Sequence, residues 1–283
     1  MPVDASSYAH DGNLHLKAAE LRLAVLQAAL KAGKGHVPPA LSWVEIAVTL
    51  FYGGFLRLRP NQPNWAERDR FILSKGHGCL TLYAALADLG FFPAQELDRF
   101  GQPGSLLAGH PDPSIPGVEA ISGSLGHGLG TGSGLALSAR LDGRAWRVCV
   151  VLGDGECQEG SIWEAAMFAA HHRLDNLAAI VDRNGLQATA FTQETLHQDS
   201  MEERWRAFGW DAVTVDGHDL AALAAALERP VDGRPRVLIA STCKGKGVTF
   251  MENSPQWHHQ MPNAGQAEQA LAALRARVEE LRR

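Results

Sequence analysis

An aspartate and an asparagine, each directly after an apolar run, are the first residues whose types and spacing suggest chemistry. Asp154 and Gly155 follow one run, and Asn184 follows the next apolar run along the chain. Hard divalent cations prefer oxygen ligands and often retain bound phosphate, while glycine lets backbone come close to phosphate oxygens. The Asp154 carboxylate, the Asn184 amide oxygen and the Leu186 carbonyl are therefore candidate ligands of one Mg²⁺ or Ca²⁺ ion that also holds phosphate.

Each half of this pair has a simpler interpretation when it is taken alone. An aspartate in a glycine turn commonly caps a helix, and Asn184-Gly185 is a common turn sequence. Two such elements, each at the end of its own strand, are more specific than either one. Because ligands of parallel sheets bind beyond the carboxyl ends of the strands, we expect Asp154 and Asn184 to meet there.

The elements that must position these residues alternate between strands and helices. Helices are predicted from Leu14 to a stop at Gly33 and onward from Ser42, and others lie between the strands. Continuous apolar strands that alternate with helices predict an α/β fold with a mostly parallel sheet covered on both faces. The predicted strands are Arg70–Ser74, Trp146–Gly153, Leu177–Asp182, Trp210–Gly217 and Pro235–Ser241, and the further helices are Cys79–Leu89, Leu125–Leu141, Ser161–His171, Leu220–Glu228 and Glu268–Leu281.

The bulk composition indicates a folded chain of one large domain or two small ones and disfavours several ligand classes. The chain has 283 residues, 46% of them hydrophobic, and a net charge of −5 without long basic runs, so we expect no nucleic-acid partner. No apolar run approaches the roughly 18 residues that span a bilayer, and the N-terminus lacks an export signal pattern. The four cysteines form no CxxC motif, which favours reduced thiols and a cytoplasmic location.

Common catalytic motifs are absent, whereas four histidines stand out. The sequence has no GxxxxGK[ST], HExxH or GxSxG pattern, and its glycine-dense "GHGLGTGSG" does not follow GxGxxG. His36, His77, His110 and His258 lie beside Gly or Pro or on predicted loops. Taken singly, each is more often a hydrogen-bonded surface residue, but imidazole also suits proton transfer near neutrality.

The Asp154 and Asn184 pair resembles the diphosphate-binding motif of thiamine diphosphate enzymes, which opens with GDG and closes with Asn. From about Lys17 to His259 the chain is similar to the N-terminal, diphosphate-binding domain of transketolase. The resemblance implies the thiamine diphosphate-binding fold, with thiamine diphosphate and Mg²⁺ as cofactors and Ca²⁺ or Mn²⁺ as possible substitutes for Mg²⁺. The segments that carry it are "GKGHVPPALSWVEI", "DRFILSKGHG", "LLAGHPDPSIPGVEAISGSLGHGLGTGSGLAL", "GDGECQEGSIWEAAMFAAHHRLDNLAAIVDRNGLQ" and "STCKGKGVTFMENSPQWHH".

The resemblance also implies roles for single residues. Three histidines would line the substrate channel, bind sugar hydroxyls and help to move protons: His36, His110 and His258. The cofactor would contact His77, Gly123, Leu125, Asp154, Gly155 and Asn184, and the metal ion would be held by Asp154, Asn184 and the carbonyl of Leu186.

Some residues keep two interpretations. Where the family often has Pro and Gln, this chain has Ser124 and His127, and His127 either alters what enters the channel or finds a local partner. Lys244 and Lys246 either add positive charge near the diphosphate or are solvated. Glu159 and Glu164 belong by resemblance to a carboxylate network between subunits, or they are favourable charges in a helix's first turn.

The implied activity is transfer of a two-carbon ketol unit from a ketose phosphate to an aldose. We expect residues 1–283 to form a single diphosphate-binding domain with helical N- and C-terminal extensions and without the family's pyrimidine-binding domain. The expected protein is thus the N-terminal subunit of a split transketolase, in an α2β2 heterotetramer with a separate C-terminal subunit, and sugar phosphates are its expected substrates.

Two alternatives stay open, the α subunit of a 2-oxo acid dehydrogenase and a non-catalytic binding paralogue. The segment after Asn184, "QATAFTQETLHQDSMEE", departs from the acidic, glycine-containing pattern expected in the family. The exact substrates are therefore left open.

Overall fold

Five parallel strands form one sheet in a computed structural model that describes residues 13–188, 190–198 and 200–283. The N-terminal segment in which we expect no export signal lies mostly outside these residues. In spatial order the sheet runs β1, β2, β3, β5, β4. The strands are β1 (Arg70–Leu73), β2 (Val148–Gly153), β3 (Leu177–Arg183), β4 (Asp211–Asp216) and β5 (Arg236–Ser241).

Apolar runs become strands here because both faces of the sheet are covered. Every residue of β2 is buried, and its side chains alternate between two hydrophobic clusters. Cys149 and Val151 pack into one cluster, whereas Val150 and Leu152 pack into the other. The predicted α/β class with a mostly parallel, doubly covered sheet is confirmed.

Ten α-helices of the described residues connect and cover the strands. The first four and the last two pack with one cluster, and α5, α6 and α8 pack with the other. The helices are α1 (Leu14–Ala32), α2 (Val37–Leu41), α3 (Val44–Phe51), α4 (Cys79–Leu89), α5 (Gly128–Leu141), α6 (Gly160–His171), α7 (Thr192–Thr195), α8 (Met201–Ala207), α9 (Leu220–Glu228) and α10 (Ala264–Arg282).

The differences from the predicted elements have local causes. Helix α5 begins at Gly128 rather than at Leu125, because Gly126 adopts a positive φ of 86° that a helix does not accommodate. Helix α2 was not predicted, since two prolines stand in its sequence, but both fall in its first turn, where proline is tolerated. Helices α7 and α8 were also missed.

The expected thiol chemistry and the absence of apolar spans are both consistent with the structure. The four cysteines are free, and three of them are buried. Within the described part of the chain, no helix combines the length and the apolar character needed to cross a membrane.

The packing of α5 on β2 gives a test of the fold. A Cβ atom at Gly132 would lie 2.6 Å from Cγ2 of Val150, whereas at Gly134, on the same helix, it would meet nothing within 4 Å. Both alanine variants gain the same helix propensity. We expect Gly132→Ala to have a free energy of unfolding about 1–3 kcal/mol below that of Gly134→Ala, because only the former overpacks the core. Urea unfolding of the two variants measures this difference, and equal stabilities would contradict the packing.

Candidate active site

A cavity of about 320 Å³ opens at the carboxyl edge of the sheet. Loops that follow β1, β2, β3 and β5 line it, and so does the segment before α5. All the site residues predicted from the sequence except one therefore lie around a single space, as the parallel topology requires. They are His77, His110, Gly123, Leu125, Asp154, Gly155, Asn184, Leu186 and His258, and the exception is His36.

Asp154 joins the two halves of the sequence motif. Its carboxylate accepts the N–H of Gly155 at 2.8 Å and the N–H of Gly185, in the neighbouring loop, at 2.6 Å. The side chain is almost completely buried, and burial together with the nearby Asp182 raises its pKa to about 6. Burial and the nearby negative charge disfavour the ionised carboxylate, and a cation bound here would stabilise it.

The other two candidate metal ligands lie beside Asp154. The Oδ1 atom of Asn184 accepts the N–H of Leu186 at 3.1 Å, and the Leu186 carbonyl accepts the Lys244 ammonium at 3.2 Å. A positive group thus already sits on one of the predicted ligand oxygens. A carboxylate, an amide oxygen and a carbonyl form an all-oxygen donor set, which fits Mg²⁺.

Two lysines place positive charge in the wall of the cavity. Lys75 forms an ion pair with Asp182 in which both side chains are essentially inaccessible to solvent. Lys244 is equally buried, and burial, with repulsion from Lys75, lowers its pKa to about 8. The structure therefore places Lys244 in the cavity and not in solvent. Sequence reasoning missed Lys75, although its neighbours in "SKGHG" were part of the signal.

Glu156 was also missed, and it organises the backbone around the cavity. Its buried carboxylate accepts the hydroxyl of Ser74 and the N–H groups of Gly126 and Gly153, the latter two at 2.9 and 3.0 Å. These bonds tie the end of β1, the end of β2 and the segment before α5 together. The sequence feature that could have identified Glu156 is its position directly after GDG, at the start of the turn.

The segment before α5 approaches the other loops closely. A Cβ atom at Gly76 would stand 2.2 Å from the carbonyl oxygen of Ser122, so no other residue fits there without moving this segment. Gly123 faces open space, and Leu125 is a partly exposed apolar side chain on the cavity wall. An exposed backbone next to an apolar side chain is a suitable surface for a flat ring.

The four histidines predicted for the site come from four loops and form one cluster. The ring of His36 lies 5.4 Å from that of His258, 6.0 Å from His77 and 6.4 Å from His110, measured between centroids. His36 lines an adjoining cavity of about 340 Å³ that shares His110 with the first. The predicted channel histidines are thus contiguous across both cavities.

Burial changes the proton chemistry expected of these rings. It is the main cause that lowers the pKa of His36 to about 4 and of His258 to about 3, and it holds the pKa of His77 well below its usual value. Neighbouring histidines and lysines act in the same direction. At neutral pH these rings are uncharged, so each offers one donor and one acceptor rather than a titrating proton.

Comparison with known proteins gives this cavity a family context. Residues 15–277 match the family model described as "Transketolase, thiamine diphosphate binding domain". The chain belongs to the transketolase family. The family predicted from the sequence is confirmed.

Relatives within the transketolase family include both short and long chains. The chain is 40% identical over 271 residues to an apulose-4-phosphate transketolase subunit of Phocaeicola vulgatus, and the match covers 95% of this chain and 96% of that one. It is also 40% identical over 250 residues to the 6-deoxy-6-sulfo-D-fructose transketolase subunit SqwG of a Clostridium species, covering 87% and 90%. Human transketolase is 38% identical over 260 residues, but only 41% of its length is matched.

Solved transketolase structures share this fold. A Pichia stipitis transketolase superposes with a TM-score of 0.86 at 28% identity. The match covers 95% of this chain and 44% of the Pichia chain, so this chain spans less than half the length of that transketolase.

The structure gives the positions of the residues for which the sequence allowed two interpretations. His127, Glu159 and Glu164 are exposed, and none of them lines the main cavity. Lys246 is half-buried beside a different cavity, where its carbonyl accepts the Nε–H of Arg22 at 3.1 Å. Of these residues, Lys244 alone enters the candidate site.

The Lys75 and Asp182 pair gives a test of how the site is held. Lys75→Met leaves a buried carboxylate without its cation, which should lower the free energy of unfolding by about 3–5 kcal/mol. The double variant Lys75→Met/Asp182→Asn removes both charges and should recover part of that loss. Urea unfolding measures both values. A single variant as stable as the unmodified chain would show that the pair contributes nothing.

Proposed function

We propose that this chain is the diphosphate-binding subunit of a two-chain transketolase that transfers a two-carbon ketol unit from a ketose phosphate to an aldose. The observation that carries the proposal is the gathering of the candidate metal-ligand oxygens and the histidine cluster around two adjoining cavities, in a chain that belongs to this family. The cofactor is thiamine diphosphate, which when bound supplies the electron sink for cleaving the carbon–carbon bond.

The diphosphate end of the cofactor is held by oxygen ligands and by positive charge. In the proposed arrangement Asp154, Asn184 and the Leu186 carbonyl bind Mg²⁺, for which Ca²⁺ or Mn²⁺ can substitute. Gly155 has no side chain, so it lets the backbone come close to the phosphate oxygens, and Lys244 adds positive charge. Their common position around the cavity supports these roles.

The remaining residues act on the organic part of the cofactor and on the sugar. Gly123 and Leu125 contact its ring, and His77 contacts it from the loop after β1. His36, His110 and His258 bind sugar hydroxyls. Because burial keeps His36 and His258 neutral, each ring can accept a hydroxyl proton at one nitrogen and donate a hydrogen bond from the other.

A separate subunit completes this site in the proposal. The two short relatives are themselves named as transketolase subunits, and this chain matches nearly their full length. We propose that residues 1–283 are a single diphosphate-binding domain with helical extensions, that the pyrimidine-binding domain resides on the partner chain, and that the assembly is a cytoplasmic α2β2 heterotetramer. The two short relatives are both 40% identical to this chain over their matched residues but are named for different sugars, so the percentage identity favours neither sugar.

The partner requirement predicts an activity that appears only on mixing. The chain alone should show no ketol transfer, and addition of its copurifying pyrimidine-domain subunit, thiamine diphosphate and Mg²⁺ should restore it. Aldose formation from ketose phosphate donors, with pyruvate-like acids as a comparison, measures this. Turnover by the highly purified single chain would contradict the split, and turnover of pyruvate-like acids alone would contradict the reaction.

Asp154 provides the test of the metal site. Asp154→Ala should abolish Mg²⁺-dependent binding of thiamine diphosphate to the two-chain complex, because the cation loses its only charged ligand in the proposed set. Asp142→Ala, at an exposed position after α5, is the matched control and should bind like the unmodified protein. Calorimetric titration measures both, and unchanged affinity in Asp154→Ala would remove this residue from its role.

A further inference from the structure

A fifth histidine stands beside the channel histidines, and nothing in the proposed reaction uses it. His259 directly follows His258 at the end of a 3₁₀ turn (Pro255–His258). Its ring centroid lies 4.9 Å from that of His36 and 4.5 Å from that of His258. The family resemblance assigns no role to this residue.

Three of these rings can bring ligand atoms together at one point. A nitrogen of His36, one of His258 and one of His259 all lie within 4.8 Å of one another. Three imidazoles bound to a tetrahedral Zn²⁺ at 2.0–2.1 Å stand about 3.3 Å apart. The ring of His259 is exposed, whereas His36 is half-buried and His258 is buried, so His259 has the most freedom to close this gap.

His258 supplies an independent indication that a ligand belongs here. Its side chain is 92% buried, since its relative exposure is 8%, yet its Nδ1 atom finds no hydrogen-bond partner among the described residues. A buried polar nitrogen without a partner is costly, and a cation coordinated through Nδ1 would satisfy it. His36 and His258 are uncharged at neutral pH, so neither must lose a proton before it coordinates.

We propose that His36, His258 and His259 form a binding site for a transition-metal ion, Zn²⁺ above all, at the entrance to the substrate channel. Three imidazoles without a carboxylate suit zinc, copper, nickel or cobalt ions and not Mg²⁺, which prefers oxygen. The site is distinct from the oxygen ligands around Asp154. Three protein ligands leave a fourth position that water can fill.

The consequence for activity rests on the proposed transketolase function. A ring that coordinates zinc through the nitrogen facing the channel cannot use that nitrogen to bind a sugar hydroxyl. Zinc held by His36 and His258 therefore competes with the ketose donor. His259 acts as the residue that makes two channel histidines into a metal site.

Metal binding is tested first, without any use of catalysis. The full chain is titrated with Zn²⁺ in excess Mg²⁺ against a chromophoric chelator, and Co²⁺ is used as a spectroscopic probe of tetrahedral coordination. We expect one site whose affinity falls about 100-fold in His259→Asn, since loss of even an outer partner of a ligand costs 10–100-fold. The visible Co²⁺ absorption should disappear in that variant and in His36→Asn.

Two control variants separate this site from others. His15→Asn, at an exposed position on α1, should leave zinc affinity unchanged, and so should Asp154→Ala, which disables the oxygen site. Equal zinc affinity in His259→Asn and the unmodified chain would overturn the proposal. Loss of zinc binding in Asp154→Ala would also overturn it, because zinc would then occupy the magnesium position.

Inhibition is tested separately on the complex with the partner subunit. Zn²⁺ should raise the KM for the ketose donor in the unmodified enzyme, and His259→Asn should retain full activity without zinc and lose the sensitivity. Zinc inhibition that persists in His259→Asn would overturn the link to the channel. If the complex transfers no ketol unit, the proposed function fails, whereas the direct titration still decides whether the metal site exists.

Discussion

The buried ion pair between Lys75 and Asp182 is the interaction on which the candidate site depends. Both side chains are inaccessible to solvent, so each charge is tolerable only because the other is present. Burial alone would raise the pKa of Asp182, but Lys75 and the hydroxyl groups of Ser42 and Thr242 hold it below its usual value. The Lys75 ammonium also donates to the Pro39 carbonyl at 3.0 Å. One pair thus connects α2 with the carboxyl ends of β1, β3 and β5.

Above this pair, the cavity gathers buried charges of both signs. Asp154 and Glu156 are buried carboxylates whose pKa values are raised mainly by burial, and Lys244 is a buried ammonium whose pKa is lowered for the same reason. The ammonium of Lys244 donates to the carbonyls of Leu186 and Gln187. A cation with an anionic diphosphate would give these charged groups stronger partners. A site with unfavourably buried positive and negative side chains is therefore consistent with a ligand that contains both a cation and an anionic diphosphate.

The histidine cluster shows a different use of burial. Burial is the main cause that lowers the pKa values of His36 and His258, and repulsion from neighbouring histidines and lysines adds to it, so these two rings remain neutral. Neutral rings are hydrogen-bonding groups toward sugar hydroxyls, and they are also good ligands for transition metals. The neutral state of the rings thus supports the proposed substrate role of His36 and His258. It also allows both rings to bind a metal ion together with the neighbouring His259.

Local sequence determined much of this protein. The apolar runs predicted the strands, Gly33 ended the first helix, and GDG with its distant Asn184 pointed to the cofactor family, because the two elements together resemble its diphosphate-binding motif although each alone is a common cap or turn. The sequence predicted that the loops with Asp154 and Asn184 meet, but only the tertiary structure decided the individual side-chain contacts between distant segments. Two of the three partners of Glu156 lie 30 and 82 positions before it in the chain, Lys75 pairs with Asp182 across 107 positions, and His259 meets His36 across 223. No local pattern specifies these contacts. Burial, which sets the charge state of the histidines, is likewise a property of the packed chain, because single residues carry only their unperturbed pKa.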